Sequence, residues 1–276
     1  MSRRAQRIAF SLLLAFAFAA SARAVQEPQL TEDEMKQFLL TAKVIKDKGA
    51  PKGITGVRRL TLSDGNITHE ASFQTINEFK TRFESLGSPP EMNFRDSYKY
   101  DIAAYELAKL LGLGDMMPVT VARKRAGKEG ALSWWLPFQM DELERIKRKI
   151  EPPDVGAWNR QMYKMRVFAE LVYDMDRNLG NVLISPEWHL WMIDFSRAFR
   201  VHHELREPKN LVKCDRQLLQ SLRLLDEKEL TVRTKDYLTR TEIQGVMARR
   251  DKIVALFTDL IAKKGEDAVL YSDKCP

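Results

Sequence analysis

Residues 157–196 constrain this chain more than any other stretch. They read AWNRQMYKMRVFAELVYDM, then DRNLG, then two short apolar runs, NVLI and LWMI, separated by SPEWH, and they end in DFS. Met162, Met165, Phe168, Ala169 and Val172 recur at helical spacing and predict one buried stripe. NVLI and LWMI are too short for helices and predict a hairpin. A helix that runs through a loop into a small hairpin assigns places to three polar residues. Asp176 falls in the loop, Asn181 opens the first strand and Asp194 closes the second.

Those positions imply chemistry. Hairpin pairing draws Asn181 and Asp194 together, and two neighbouring oxygen ligands suit Mg²⁺ or Mn²⁺, which take few protein ligands when phosphates complete the shell. A separate carboxylate, Asp176, can then orient or deprotonate a hydroxyl. This is the arrangement of phosphoryl transfer, where positioning and charge neutralisation carry most of the catalysis. The plainer reading is that Asp and Asn are turn formers at loop ends. Against it stands the apolar context of LWMIDFS, in which a carboxylate is costly to bury without a partner.

The rest of the chain reads as α+β with two lobes. Residues 1–24 form an export signal: Arg3, Arg4 and Arg7, an apolar run from Ile8 to Ala20, then Ala22-Arg23-Ala24. Its removal takes away four arginines and lowers the formal charge from +7 to +3. The remaining basicity makes no case for nucleic acid, and nothing downstream predicts a membrane span. Export is thus the expectation, to a periplasm, a secretory lumen or the exterior. The N-lobe, residues 25–139, opens with a capped helix at Thr31-Glu32-Asp33-Glu34. A glycine turn with Gly53 and Gly56 follows, then a hairpin around Asp64-Gly65. Next come a loop-like SLGSPPE, a helix over 97–112 and two strands around a basic glycine turn. The C-lobe, residues 140–276, is mainly helical, with Pro152-Pro153 breaking its first helix. Cys214 and Cys275 either pair, as oxidising surroundings would favour, or remain a buried and a tail thiol.

The segment FAELVYDMDRNLGNVLI…LWMIDFSRAF resembles the catalytic and metal loops of atypical kinase-like proteins, the Golgi casein kinase and Four-jointed group above all. More distantly it is similar to HipA-like and phosphatidylinositol kinases. DIAAYELAKLLGLGDMMPVTVAR resembles the small-lobe helix and following strand of the same group. The resemblance implies a two-lobed kinase-like fold and an ATP- or other nucleotide-dependent transfer to a hydroxyl of a protein, sugar or lipid. Asp176 would be the catalytic aspartate, and Asn181 and Asp194 the metal ligands. Asp101 would stand where the family helix places its glutamate. Gly53 and Gly56 would cover the nucleotide, and Trp134 to Gln139 would run near the hinge.

The departures from the family pattern lie around the phosphates. Gln74 stands where the phosphate-binding lysine is expected, with Arg58, Arg59 and Lys80 as alternative cations. Ser196 replaces the glycine of Asp-Phe-Gly. An inactive nucleotide-binding module and an adenylyl transferase on the same fold are the alternative functions. His202-His203-Glu204 is a poor metal site, because adjacent histidines do not converge on one ion. The basic runs at 123–128 and 147–149 read as solvated faces.

Overall fold

The computed structural model describes residues 30–49, 57–84 and 90–272. Gly53, Gly56, Cys275 and residues 1–24, where an export signal is expected, lie outside them. The capping box forms as expected: the Thr31 hydroxyl accepts from Glu34 N, the Glu34 carboxylate accepts from Thr31 N, and helix α1 runs over Glu32–Thr41. Strands β1 (Lys43–Gly49), β2 (Arg58–Ser63) and β3 (Thr68–Gln74) follow as an antiparallel meander. Between β2 and β3, Asp64 Oδ1 accepts from the backbone N–H groups of Asn66 and Ile67, both at 2.8 Å, and Gly65 supplies the φ of 98°.

The next two strands, β4 (Asn77–Phe83) and β5 (Glu91–Ser97), form a separate hairpin for which the sequence gives no signal, and most of the loop-like SLGSPPE lies outside the described residues. Six of the seven β4 residues are exposed, so the strand lacks the one-sided alternation that marks a half-buried strand. Helix α2 (Tyr98–Leu110) starts at the Ser97 cap, and strands β6 (Thr120–Arg125) and β7 (Lys128–Trp134) complete the large sheet, in order β1-β2-β3-β7-β6.

The two faces of this sheet have different tasks. On one, Leu60, Leu62, Ala71, Phe73, Leu132 and Trp134 bury against Phe38 and Leu39 of α1. Each such side chain contributes roughly 1.5–3 kcal/mol. On the other, cross-strand register aligns Arg59 with Ser72, Ser72 with Ser133 and Gln74 with Ala131. Ala131 packs on Tyr98 and Ile102 of α2, so α2 and Gln74 share this second face.

Residues 135–139 lead to β8 (Met140–Asp141), helix α3 (Glu142–Lys147) and helix α4 (Val155–Leu171). Trp134 belongs to the sheet core, stacked 3.7 Å from the His69 ring, and Trp135 is the partly exposed residue of the pair. Met162, Met165 and Phe168 of α4 enter the main core. Strands β9 (Val182–Ile184) and β10 (Leu190–Met192) pair as the expected hairpin, with β8 on the far side of β9. Strand β11 (Cys214–Asp215), α5 (Arg216–Leu224), α6 (Glu227–Thr234), α7 (Arg240–Lys264), α8 (Glu266–Val269) and β12 (Leu270–Tyr271) complete a mainly helical half. Cys214 is fully buried, which pushes its thiol up to about 12. Among the described residues no helix is long and apolar enough to cross a membrane.

Candidate active site

Helix α4 ends at Leu171, and the chain reverses through Tyr173, whose φ of 49° lies in the left-handed region. The reversal sinks Asp174, whose side chain is 0% exposed. Asp174 Oδ1 accepts from Asp176 N at 2.9 Å and Oδ2 from Arg177 Nε at 2.8 Å. Arg177 Nη1 donates to the carbonyls of Asn181 and Ile193 at 2.9 and 2.8 Å, and Nη2 to that of Asp194 at 3.2 Å. Its guanidinium lies 4.2 Å from the Phe195 ring centroid. One arginine therefore ties the loop carrying Asp176 to both ends of the hairpin.

Asn181 ends a short 3-10 turn just before β9 rather than lying in the strand itself. Its carbonyl accepts from Ile193 N at 3.1 Å and prolongs the hairpin pairing. Its Nδ2 donates to Asp176 O at 3.1 Å, which leaves the amide oxygen available as an acceptor. Asp194 follows β10 with a φ of 56°, a conformation that Asp tolerates better than most residues. Ser196 Oγ donates to Asp194 Oδ1 at 3.0 Å. Asp101, in the first turn of α2, accepts from Phe195 N at 2.7 Å. This bond fastens the small-lobe helix to the segment beyond Asp194.

A fourth carboxylate joins them. Asp96 is 7% exposed at the end of β5, and its Oδ1 is buried without a hydrogen-bond partner. Burial raises Asp101 well above the ordinary carboxylate range, with the charge of Asp194 the next cause. Burial also raises Asp194, against the opposing Ser196 hydrogen bond and Arg177. Asp96 rises for the same reason, again opposed by Ser196. Asp176 adds to the repulsion on both Asp96 and Asp194. The site thus gathers four acids, Asp96, Asp101, Asp176 and Asp194, beside the Arg177–Asp174 pair, in which the arginine donors are already engaged. Repelling acids, an orphaned carboxylate oxygen and a nearby amide oxygen form a hard-oxygen donor set that fits Mg²⁺ or Mn²⁺. Among the described residues no group of three or more His, Cys, Asp or Glu side chains is placed to hold a metal ion by itself. A cation here would therefore complete its shell with oxygens from outside the protein, as phosphate-bound cations do.

Gln74 is buried, and its Nε2 has no hydrogen-bond partner. A Cβ built on Gly130 would stand 2.4 Å from the Gln74 carbonyl, so β7 approaches β3 closely at this point. Of the three alternative cations, only Arg59 shares the Gln74 face of the sheet. It pairs with Glu70 and lies 4.0 Å from the Trp135 ring centroid. Arg58 pairs with Asp47, and Lys80 pairs with Glu78 on the separate hairpin. The His202 ring lies tilted 5.0 Å from the Tyr173 ring and Glu204 pairs with Lys252, and among the described residues neither joins a group of three metal-ligating side chains.

Sequence reasoning did not find Asp96 because β5 gives no periodic signal. It also undervalued Ser196, whose hydroxyl serves Asp194 and Asp96 where a glycine would serve neither.

No protein-family model and no curated protein matches the chain. Solved structures do. Hydra Fam20, solved with sugar, aligns over 88% of this chain and 93% of its own, with a TM-score of 0.66 at 14% identity. The Golgi casein kinase with Mn/ADP bound aligns over 89% of this chain and 80% of its own, with a TM-score of 0.62 at 15% identity. The Helicobacter pylori proinflammatory kinase CtkA aligns over 82% of this chain and 98% of its own, with a TM-score of 0.54 at 12% identity. At such identities the likeness is one of fold. A β-sheet half and a helical half, joined as in these proteins, give this chain the fold of the atypical kinases represented by the Golgi casein kinase and Fam20.

Proposed function

We propose that this protein is an exported, metal-dependent phosphotransferase. It moves the γ-phosphoryl group of ATP or another nucleoside triphosphate to a hydroxyl on a protein, sugar or lipid. The observation that carries this reading is the meeting of Asp96, Asp101, Asp176 and Asp194 with Asn181 between the sheet and the helical half. The Mn/ADP complex of a structural neighbour supports the choice of nucleotide and metal.

Each residue then has a task. Asp176, held by Asp174 and Arg177, orients the acceptor hydroxyl and takes its proton. The acceptor oxygen bonds to the γ-phosphorus as the bond to the β–γ bridging oxygen breaks, and the nucleoside diphosphate leaves. Asp194 and Asn181 would supply the metal-binding oxygens, and Ser196 fixes the Asp194 carboxylate. A bound Mg²⁺ or Mn²⁺ would neutralise phosphate charge as it develops. Asp101 couples α2 to this centre. The Gln74 amide offers its N–H to phosphate oxygen.

With radiolabelled γ-phosphoryl ATP and Mn²⁺, label should enter protein or an added hydroxyl acceptor. Asp176→Ala should lower that rate at least about 100-fold, the scale of general-base catalysis. Full activity in the variant would refute the assignment of Asp176.

A second reading, a nucleotide-binding module without turnover, is favoured by Gln74 and by the pairing of Arg59 with Glu70. Its signature is metal-dependent nucleotide binding with no label transferred.

A further inference from the structure

Arg249, in the middle of α7, is the largest wholly buried side chain among the described residues, at 0% exposure. Among those residues no carboxylate pairs with it. Glu170, an acid whose charge reaches it, spends both oxygens on the backbone N–H groups of Arg206 and Glu207. Burial brings the guanidinium down to about 10, and its Nη2 has no acceptor. A buried cation that faces only neutral groups is costly, and an apolar side chain of similar volume would fill the core at less cost. The reason for an arginine here lies in what its bonds hold.

All of them go to backbone carbonyls. Nε donates to Leu171 O at 2.8 Å, and Nη1 donates to Arg200 O at 2.9 Å and to His202 O. Leu171 is the last residue of α4, and Arg200 and His202 lie in the segment that leaves Asp194. These two segments also bond to each other: Phe199 N donates to Val172 O at 2.6 Å, and Met175 N to Arg197 O at 3.4 Å. Each turns through a left-handed aromatic residue, Tyr173 with a φ of 49° and Phe199 with a φ of 56°. A bulky side chain disfavours that conformation, which persists only where the surroundings enforce it. Arg249 bonds the chain just before Tyr173 and just after Phe199, and its guanidinium lies 5.5 Å from the Tyr173 ring centroid. Helix α7 leaves room for this. A Cβ built on Gly245 would stand 3.0 Å from Arg249 Nη1 and 3.2 Å from Arg200 O. Glycine inside a helix is less stable than alanine, so its place at Gly245 answers to this close approach.

We infer that Arg249 is a positioning residue: it locks the paired turns at Tyr173 and Phe199 and so fixes the spacing of Asp176 from Asp194. The inference rests on the phosphotransferase reading. Asp176 lies three residues beyond the first turn, and Asp194 lies five residues before the second. Arg177 ties the two loops to the hairpin, and Arg249 ties their bases to α7. Without the second tie Asp176 shifts against Asp194, and a misplacement of about 1 Å can cost about 100-fold in rate. Nucleotide binding, which draws on Asp194, Asn181 and the sheet, keeps its strength.

The test assays full-length protein with γ-labelled ATP and Mn²⁺, reading label released to water or entering protein, beside a calorimetric titration with Mn²⁺–ADP. Arg249→Met should lower kcat about 10- to 100-fold, with the Mn²⁺–ADP Kd within about twofold of wild type. Gly245→Ala keeps the guanidinium but presses on its Nη1 and on the Arg200 carbonyl, so it should lower kcat in the same direction. It carries the test if the methionine variant does not fold. Leu222→Ala, a substitution on α5 in the main core, should lose stability and keep kcat. Full kcat in folded Arg249→Met or in folded Gly245→Ala overturns the inference. So does a loss of Mn²⁺–ADP affinity as large as the loss of kcat, or an equal loss of kcat in Leu222→Ala, since either would reduce Arg249 to a part of the core. A wild type that turns nothing over overturns it through the failure of the phosphotransferase reading, and wild-type turnover tells the two failures apart.

Discussion

Arg177 is the residue on which the site geometry turns. Its side chain is 9% exposed, its Asp174 partner is fully buried, and it spans three backbone carbonyls. Removing it leaves a buried acid without its cation, an event that costs about 3–5 kcal/mol. Arg177→Ala should therefore lower the unfolding free energy measured by urea titration by that order. Arg177→Lys should recover little, because a point charge cannot reach carbonyls in three directions. Near-wild-type stability in the alanine variant would contradict this account of the loop. Asp101 makes the opposite case. Its carboxyl is raised by burial and by Asp194, so Asp101→Asn should stabilise the metal-free protein and shrink the rise in Tm on adding Mn²⁺. A fall in metal-free Tm would mean that the bond to Phe195 N outweighs the repulsion. Asp176, Asn181 and Asp194 were legible in the sequence because a long apolar helix and a short apolar hairpin leave few places for them. Asp96 was not, because nothing local distinguishes an acid at the end of an exposed strand from a solvated one.

Among elements, α1 is the part whose docking is electrostatic as well as apolar. Burial alone would raise Glu32, but hydrogen bonds from Lys109 of α2 and from Lys36 outweigh it and bring the carboxyl to about 2. A depressed carboxyl contributes stability above its unfolded value of 4.5 and loses it as pH falls through about 2. Between those values α1 should loosen from α2, and Glu32→Gln should flatten that part of the pH–stability curve. The effect is small, since the Glu32 side chain is 41% exposed and solvent screens the pair. Unchanged curvature in the variant would remove Glu32 from the account. The sheet carries a steric prediction. Gly130→Ala drives a methyl into the Gln74 carbonyl, 2.4 Å away, so it should destabilise by about 1–3 kcal/mol in a denaturant titration. A neutral result would mean that β3 and β7 can part there. The helices and the Asp64-Gly65 hairpin were readable because caps, stripes and turns are local signals. The β4–β5 hairpin was not, because neither of its faces is systematically buried.

At the scale of the molecule, one apolar core lies behind the sheet and a second gathers α2, α4 and α7, with Val119 packed against both. The sequence carried the order of the two halves through the spacing of its apolar runs. It carried the Arg249 tie not at all, since Leu171, Arg200 and Arg249 come together only through the fold. The acids Asp96, Asp101, Asp176 and Asp194 are expected to bind a divalent cation together with a nucleotide. Thermal unfolding with and without Mn²⁺–ADP, on the wild type and on Asp194→Ala, tests this most directly. A ligand at 100 times its Kd should raise the wild-type Tm by roughly 5–10 °C, only with metal present, and the variant should lose the rise. No rise in the wild type, or the same rise in the variant, would contradict the account.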